Sequence, residues 1–288
     1  MDSIYQSMLS LGFSDLEKYK EYDDDLVFDL RELAAYFDRK RCEYFNQKAD
    51  QIDDFRNRRN LNDQVSDKAT HRRLMDLFSQ FKQFELSMDD FDSIETEEED
   101  CLGVGAESKV YIKRYKDEIV AVKVLSDYLI NGEIELGLLR REIGYLTRLK
   151  HPYISEFVGY SLFDDQNIVW LVSKYIEDGT LDYVIDNENL SGNDKTKIAF
   201  RIAIAMEFIH SHNIIHLDLK PGNILMDGNI PKIIDFGYSS PNNTALINKN
   251  QLGTLRFMAP EVFNKQVYTS AADVFSFAML LYNLYADH

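Results

Sequence analysis

An α+β fold in two lobes, preceded by a helical region, is what this sequence predicts, on three observations. Between Gly12 and Gly103 there is neither glycine nor proline, which disfavours tight turns and favours helices over that tract. After it come short runs rich in β-branched residues, the composition of strands. Longer segments with apolar residues at helical spacing follow, so the β-rich part precedes a mainly helical one.

The first region, residues 1–89, carries apolar stripes at helical spacing in Leu26, Leu30, Leu33, Ala34 and Phe37, and again in Leu74, Leu77, Phe78, Phe81 and Phe84. No heptad is sustained, so the stripes read as packing faces of a small helical module rather than a coiled coil, and such a module could recruit a protein partner. Beyond it an acidic run, Glu97-Glu98-Glu99-Asp100, gives way to a different texture. Val110-Tyr111-Ile112 and Ile119-Val120-Ala121-Val122 then read as strands joined at Lys116-Asp117. Leu138, Leu139, Ile143 and Leu146 predict a helix, Ile168 to Val172 a strand, and residues 194–212 a long helix. The apolar stretch from Ala271 to Ala286, interrupted by Asp273 and Asn283, is shorter than the ~20 residues a membrane span needs and reads as a core helix.

Bulk composition narrows the function classes. A 45% hydrophobic content supports a real core. The formal charge of −17 disfavours nonspecific binding to nucleic acid or anionic membranes. Two cysteines, Cys42 and Cys101, make neither a disulfide framework nor a zinc site, and the N-terminus shows no signal peptide. A reducing, cytoplasmic setting is the expectation.

The chemistry concentrates in His216-Leu217-Asp218-Leu219-Lys220-Pro221-Gly222-Asn223, followed by Asp235-Phe236-Gly237. One aspartate can serve as a base, a lysine two residues on as a cation, and an asparagine and a second aspartate as hard oxygen ligands for a metal. This arrangement resembles the catalytic loop H-R-D-x-x-x-x-N and the D-F-G motif of protein kinases. Upstream, Leu102-Gly103-Val104-Gly105-Ala106-Glu107-Ser108-Lys109-Val110 resembles the family's glycine-rich loop, with Ser108 in place of the third glycine. Val120-Ala121-Val122-Lys123 resembles its strand lysine, and Arg141-Glu142-Ile143 the helix glutamate that pairs with it.

The resemblance covers residues 90–288 and implies a two-lobed protein-kinase-like fold: a β-rich N-lobe over about 90–173 and a helical, C-terminally incomplete C-lobe over 177–288. It implies ATP and Mg²⁺ as cofactors and a protein Ser/Thr substrate in intracellular signalling. Asp218 would be the catalytic base, with Lys220, Lys123 and Glu142 in support and Asn223 and Asp235 holding metal. Leu102, Gly103, Val104, Gly105, Val110, Ala121, Lys123, Lys174, Ile176 and Leu225 would bind the nucleotide, Lys174 to Ile176 as the hinge beside a small gatekeeper, Ser173. Leu146, Phe157, His216 and Phe236, anchored by Asp273, resemble the family's hydrophobic spine. Thr254, before Ala259-Pro260-Glu261, would hold the catalytic loop through Asp218 and Lys220. Lys220 resembles serine/threonine kinases, and Asp273-Val274-Phe275-Ser276-Phe277 the tyrosine-kinase-like branch.

Two departures qualify the picture. Leu217 stands where many kinases carry an arginine that clamps an activation-loop phosphate, so activity is expected to depend less on phosphorylation there than in arginine-bearing kinases. The chain also ends at His288, without the family's remaining helices, so Glu261 lacks its usual arginine and one face of the 274–284 helix is expected to be uncovered. A catalytically inactive nucleotide-binding pseudokinase or scaffold, or a fragment, is the alternative reading. A third gives the N-terminal region the main role.

Overall fold

A computed structural model describes residues 76, 78–95, 97–104, 108–125, 133–163, 168–242, 254–263 and 267–286, which fall into two compact units meeting in sequence at Glu177 and Asp178. The stripe at Leu26–Phe37, Cys42, Leu74, Leu77, Gly105 and Thr244 lie outside the described residues.

The first unit is built on a five-stranded antiparallel sheet: β1 (Cys101–Val104), β2 (Lys109–Tyr115), β3 (Glu118–Leu125), β4 (Phe157–Phe163) and β5 (Ile168–Lys174), in the order β1-β2-β3-β5-β4. Lys116-Asp117 closes the β2–β3 hairpin as expected, with Lys116 at φ 53°. Side chains alternate across a strand. On β3, Val120, Val122 and Val124 therefore enter one apolar cluster, while Leu125 enters another on the opposite face. Helix α1 (Glu133–Leu146) covers the second face through Leu139 and Ile143. With both faces covered, β5 reads as the uninterrupted apolar run Ile168-Val169-Trp170-Leu171-Val172 instead of an alternating one.

Before β1 the helical spacing of Phe78, Phe81 and Phe84 does not give a continuous α-helix over the described residues. Asp76, Phe78 and Ser79 are helical, then the chain tightens into i→i+3 bonds, Phe81 N–H to Phe78 O and Phe84 N–H to Phe81 O, each 2.8 Å. Residues three apart eclipse one another at this pitch, so Phe78, Phe81 and Phe84 all reach the α1-facing cluster. Residues 78–91 thus pack within the sheet unit and not as part of a separate module.

The second unit is mainly helical: α2 (Leu181–Asn187), α3 (Gly192–Ser211), the short α4 (Pro260–Phe263) and α5 (Ala271–Tyr285). Two small antiparallel ribbons accompany them, β6 (Ile214–Ile215) with β9 (Ser240–Pro241) and β7 (Ile224–Asp227) with β8 (Ile230–Ile233). Ser191 caps α3 by accepting from Asp194 N–H, and α3 buries Ile198, Ile202, Ala205, Met206 and Ile209 along one stripe. Every residue of α5 from Val274 to Leu284 is buried or partly buried, so the uncovered face expected there is not observed; Tyr285, at its end, is 42% exposed.

Candidate active site

In the sheet unit, Glu142 occupies an unusual place for a carboxylate. Leu139, Glu142, Ile143 and Leu146 follow the i, i+3, i+4, i+7 spacing of one helix face, so Glu142 projects from the apolar stripe of α1. A buried charge in such a stripe requires a partner. It has one in Lys123, whose Nζ donates to Glu142 Oε1 at 2.7 Å; the two side chains are 23% and 9% exposed. Lys123 reaches it because it alternates with Val122 and Val124 and so points to the α1 face.

The residues expected around the nucleotide in this unit are distributed as follows. Leu102 is exposed at an irregularity in the β1–β2 pairing. Gly103 pairs with Val110 and Val104 with Lys109; a Cβ added at Gly103 would meet nothing within 4 Å, so the protein's own packing does not demand glycine there. Val110 lies beside Lys123 in the ladder, and Ala121 beside Ser173. Lys174 N–H donates to Glu156 O at 2.9 Å, and Ile176 is partly buried just after it.

In the helical unit Asp218 is the hub. Its Oδ1 accepts from Thr254 N–H at 2.7 Å; its Oδ2 accepts from Asn223 Nδ2 at 2.7 Å and from Lys220 Nζ at 2.8 Å. Lys220 also donates to Thr254 Oγ1. Asn223 Nδ2 donates a second time, to Asp218 O at 2.8 Å, which leaves its side-chain carbonyl oxygen as the available ligand atom. Asp218 and Asn223 are both buried.

The loop conformation is itself maintained from below. Leu217 (φ 66°) and Asp235 (φ 62°) both sit in the left-handed region, which is costly for residues with a Cβ and persists only where surroundings enforce it. At Leu217 the enforcing group is Asp273 of α5, 1% exposed, whose carboxylate accepts from His216 N–H and Leu217 N–H, each at 2.8 Å. His210 Nε2 lies 2.8 Å from the same carboxylate. His216 Nδ1 accepts from Asp218 N–H, so Nε2 carries the proton and donates to Ile234 O at 3.0 Å. The His216 ring packs on Phe236 at 5.2 Å between centroids. Asp235 Oδ1 accepts from Gly237 N–H at 3.3 Å, closing the turn after the β8 strand. Leu225 is partly buried on β7, in the same unit as Asp218.

Among the described residues no cluster of three His, Cys, Asp or Glu is poised for a transition metal. Asn223 and Asp235 offer an amide oxygen and a carboxylate, a donor set suited to a hard cation that keeps other oxygen ligands, as Mg²⁺ does. The family model described as "Protein kinase domain" matches residues 96–288. The chain belongs to the protein kinase family.

Relatives in that family include the RGS domain-containing serine/threonine-protein kinase A of Dictyostelium discoideum, 33% identical over 184 residues, 63% of this chain and 16% of that protein. The serine/threonine/tyrosine-protein kinase HT1 of Arabidopsis thaliana is 32% identical over 62% of this chain and 47% of its own. The serine/threonine-protein kinase TNNI3K of Mus musculus is 37% identical over 66% of this chain and 24% of its own. The chain therefore spans less than half the length of each of these kinases.

Sequence reasoning missed His210. It lies 63 positions from Asp273, and no local spacing joins the two. It also missed Gly159 of β4, a glycine that the packing does require, as described below.

Proposed function

We propose that this kinase domain transfers the γ-phosphoryl group of ATP to a serine or threonine hydroxyl of a protein, with Mg²⁺, in the manner of the tyrosine-kinase-like branch. The single observation that supports this most is the Asp218 carboxylate, buried and oriented by Thr254 N–H, Asn223 and Lys220. Asp218 accepts the proton of the attacking hydroxyl as its oxygen bonds to phosphorus and the bond to the ADP leaving group breaks. Lys220 places a positive charge where negative charge grows on the transferred group. Lys123, held by Glu142, binds the nucleotide phosphates; Gly103 and Gly105 admit the backbone close to them, and Lys174 and Ile176 offer main-chain groups to the base. Asn223 and Asp235 hold Mg²⁺, which when bound neutralises phosphate charge.

Leu217 supports a particular mode of control. It packs against the cluster of Ile215, Met258, Ala259, Val262 and Tyr268, so an apolar contact occupies the place where an arginine would wait for a phosphate. We infer that this site needs no activation-loop phosphate.

Transfer of labelled phosphate from ATP to a generic protein substrate by the full chain tests the reading, with phosphoamino-acid analysis for specificity. Asp218→Asn is expected to remove the signal by on the order of a thousandfold, since the base is lost and the loop kept. Equal incorporation by wild type and variant would rule out catalysis at Asp218.

A further inference from the structure

The family match begins at residue 96, yet residues 78–91 are built into the unit that holds Lys123 and Glu142. At its start this segment grips α1. Phe78, 2% exposed, packs in one cluster with Leu139 and Ile143, which flank Glu142 on the same helix face. Phe81 reaches the helix at Gly144, and Gln80 Oε1 accepts from Arg140 at 3.1 Å.

In the middle the segment crosses the outer edge of β4. Leu86 N–H donates to Tyr160 O at 2.8 Å, Ser161 Oγ donates to Leu86 O at 2.9 Å, and Tyr160 Oη donates to Phe78 O at 3.3 Å. Gly159 is needed for this crossing. A Cβ there would collide with Phe84 O and stand 2.7 and 2.8 Å from Leu86 Cγ and Cδ2. At its far end the segment lies on the other sheet face. Phe91 meets the Trp170 ring edge-on at 5.3 Å, and Lys116 N–H at the β2–β3 turn donates to Asp90 O at 2.7 Å.

We propose that residues 78–91 form a positioning strap that holds α1 against the sheet, so that Glu142 stays on Lys123. The inference rests on the kinase reading for its consequence, since weaker pairing means weaker use of ATP. The cost of desolvating a largely buried ion pair offsets much of its Coulombic gain, so the Lys123–Glu142 pair is a weak anchor for a helix by itself. Apolar packing sets the helix position, and Phe78 and Phe81 supply much of it next to Glu142. Because the same strap ends on Trp170, the single tryptophan of the chain reports its docking.

The test uses the full chain and two ways of lifting the strap. Phe78→Ala with Phe81→Ala removes the grip on α1; Gly159→Ala leaves every strap residue in place but obstructs the crossing. Hydrogen exchange of residues 137–146, tryptophan fluorescence and kcat/KM for ATP are measured well below the melting temperature. Faster exchange in α1, altered Trp170 emission with Gly159→Ala, and a fall in kcat/KM of ten- to a hundredfold are expected, as for a displaced binding group. Phe78→Leu, which refills the space, is expected to restore most of it. If emission shows the strap displaced while α1 exchange and kcat/KM stay at wild-type levels, the strap has no positioning role. If the wild type itself transfers no phosphate, the kinase reading fails, and α1 exchange still decides whether the strap holds the helix. Should the double variant not fold, Phe81→Ala alone, at a partly buried position, carries the same readouts.

Discussion

Lys123 stands in regular structure: β3 is hydrogen-bonded on both sides, and its partner Glu142 projects from the packed stripe of a helix. Asp218 has no such frame. It sits in a loop between two short ribbons, with Leu217 in a left-handed conformation, and the loop keeps its shape because a buried carboxylate from α5 accepts two successive backbone amides. In the sheet unit, the position of Lys123 comes from many small apolar contacts and from its ion pair with Glu142. In the helical unit that of Asp218 comes from a few hydrogen bonds to one charge. The first arrangement degrades gradually when a contact is lost; the second depends on a single atom group.

The largest expected effect follows from that difference. Asp273→Ala leaves the buried His216 N–H and the part-buried Leu217 N–H without their acceptor and is expected to cost about 3–5 kcal/mol, with unfolding or loss of protection across residues 214–220. Glu142→Gln is the opposing case. The amide keeps the volume and one acceptor, so the melting temperature should change by only a few degrees, while kcat/KM for ATP falls on the order of a hundredfold. Denaturant unfolding and steady-state kinetics on both variants check the contrast. Comparable stability losses from the two would erase it.

The same difference explains what could be read from the chain before its structure. The candidate site residues could be picked out because the proposed chemistry constrains residue type and spacing together: Asp218, Lys220 and Asn223 lie within six consecutive positions, and Thr254 meets Asp218 and Lys220 as the family resemblance implied. β5 was legible as an apolar run, and α5 as a core helix. The span from Phe78 to Phe84 was misread because a spacing of three fits both an α-helix and a tighter 3-10 path, and only the packing around Phe78, Phe81 and Phe84 selects the latter. β4 was not found, since its sequence, Phe-Val-Gly-Tyr-Ser-Leu-Phe, places a glycine where a strand would want a side chain; the reason for that glycine is the strap crossing it.

A smaller effect separates two neighbouring serines just after the Asp235 turn. Ser239 donates from Oγ to His216 O at 3.3 Å, whereas Ser240 Oγ is buried and has no partner among the described residues. Ser239→Ala should destabilise by about 1 kcal/mol, and Ser240→Ala should be neutral or stabilising by a similar amount. Both hydroxyls are buried, so neither is a ready phosphate acceptor. The double variant combined with Thr244→Ala is expected to keep most activity, consistent with Leu217 in place of a phosphate clamp. Near-total loss of phosphate transfer would overturn that view of control.

The smallest effect concerns the strap's fastening on the sheet. Burial, with a further contribution from the negative charge of Glu85, pushes the Tyr160 phenol up to about 12 from an ordinary 10.0. A group whose pKa is raised by folding favours its protonated form in the folded state. The stability it lends is therefore complete below pH 10 and is lost as pH climbs toward 12. Ionisation would remove the hydroxyl that donates to Phe78 O and put a second negative charge beside Glu85, at the point where strap and β4 meet. Subtracting the phenolate absorbance titration of Tyr160→Phe from that of the wild type should isolate a component rising near pH 12, accompanied by a change in Trp170 emission as the strap loosens. A component near pH 10, with emission unchanged, would mean that Tyr160 is open to solvent and the strap is held by its phenylalanines alone.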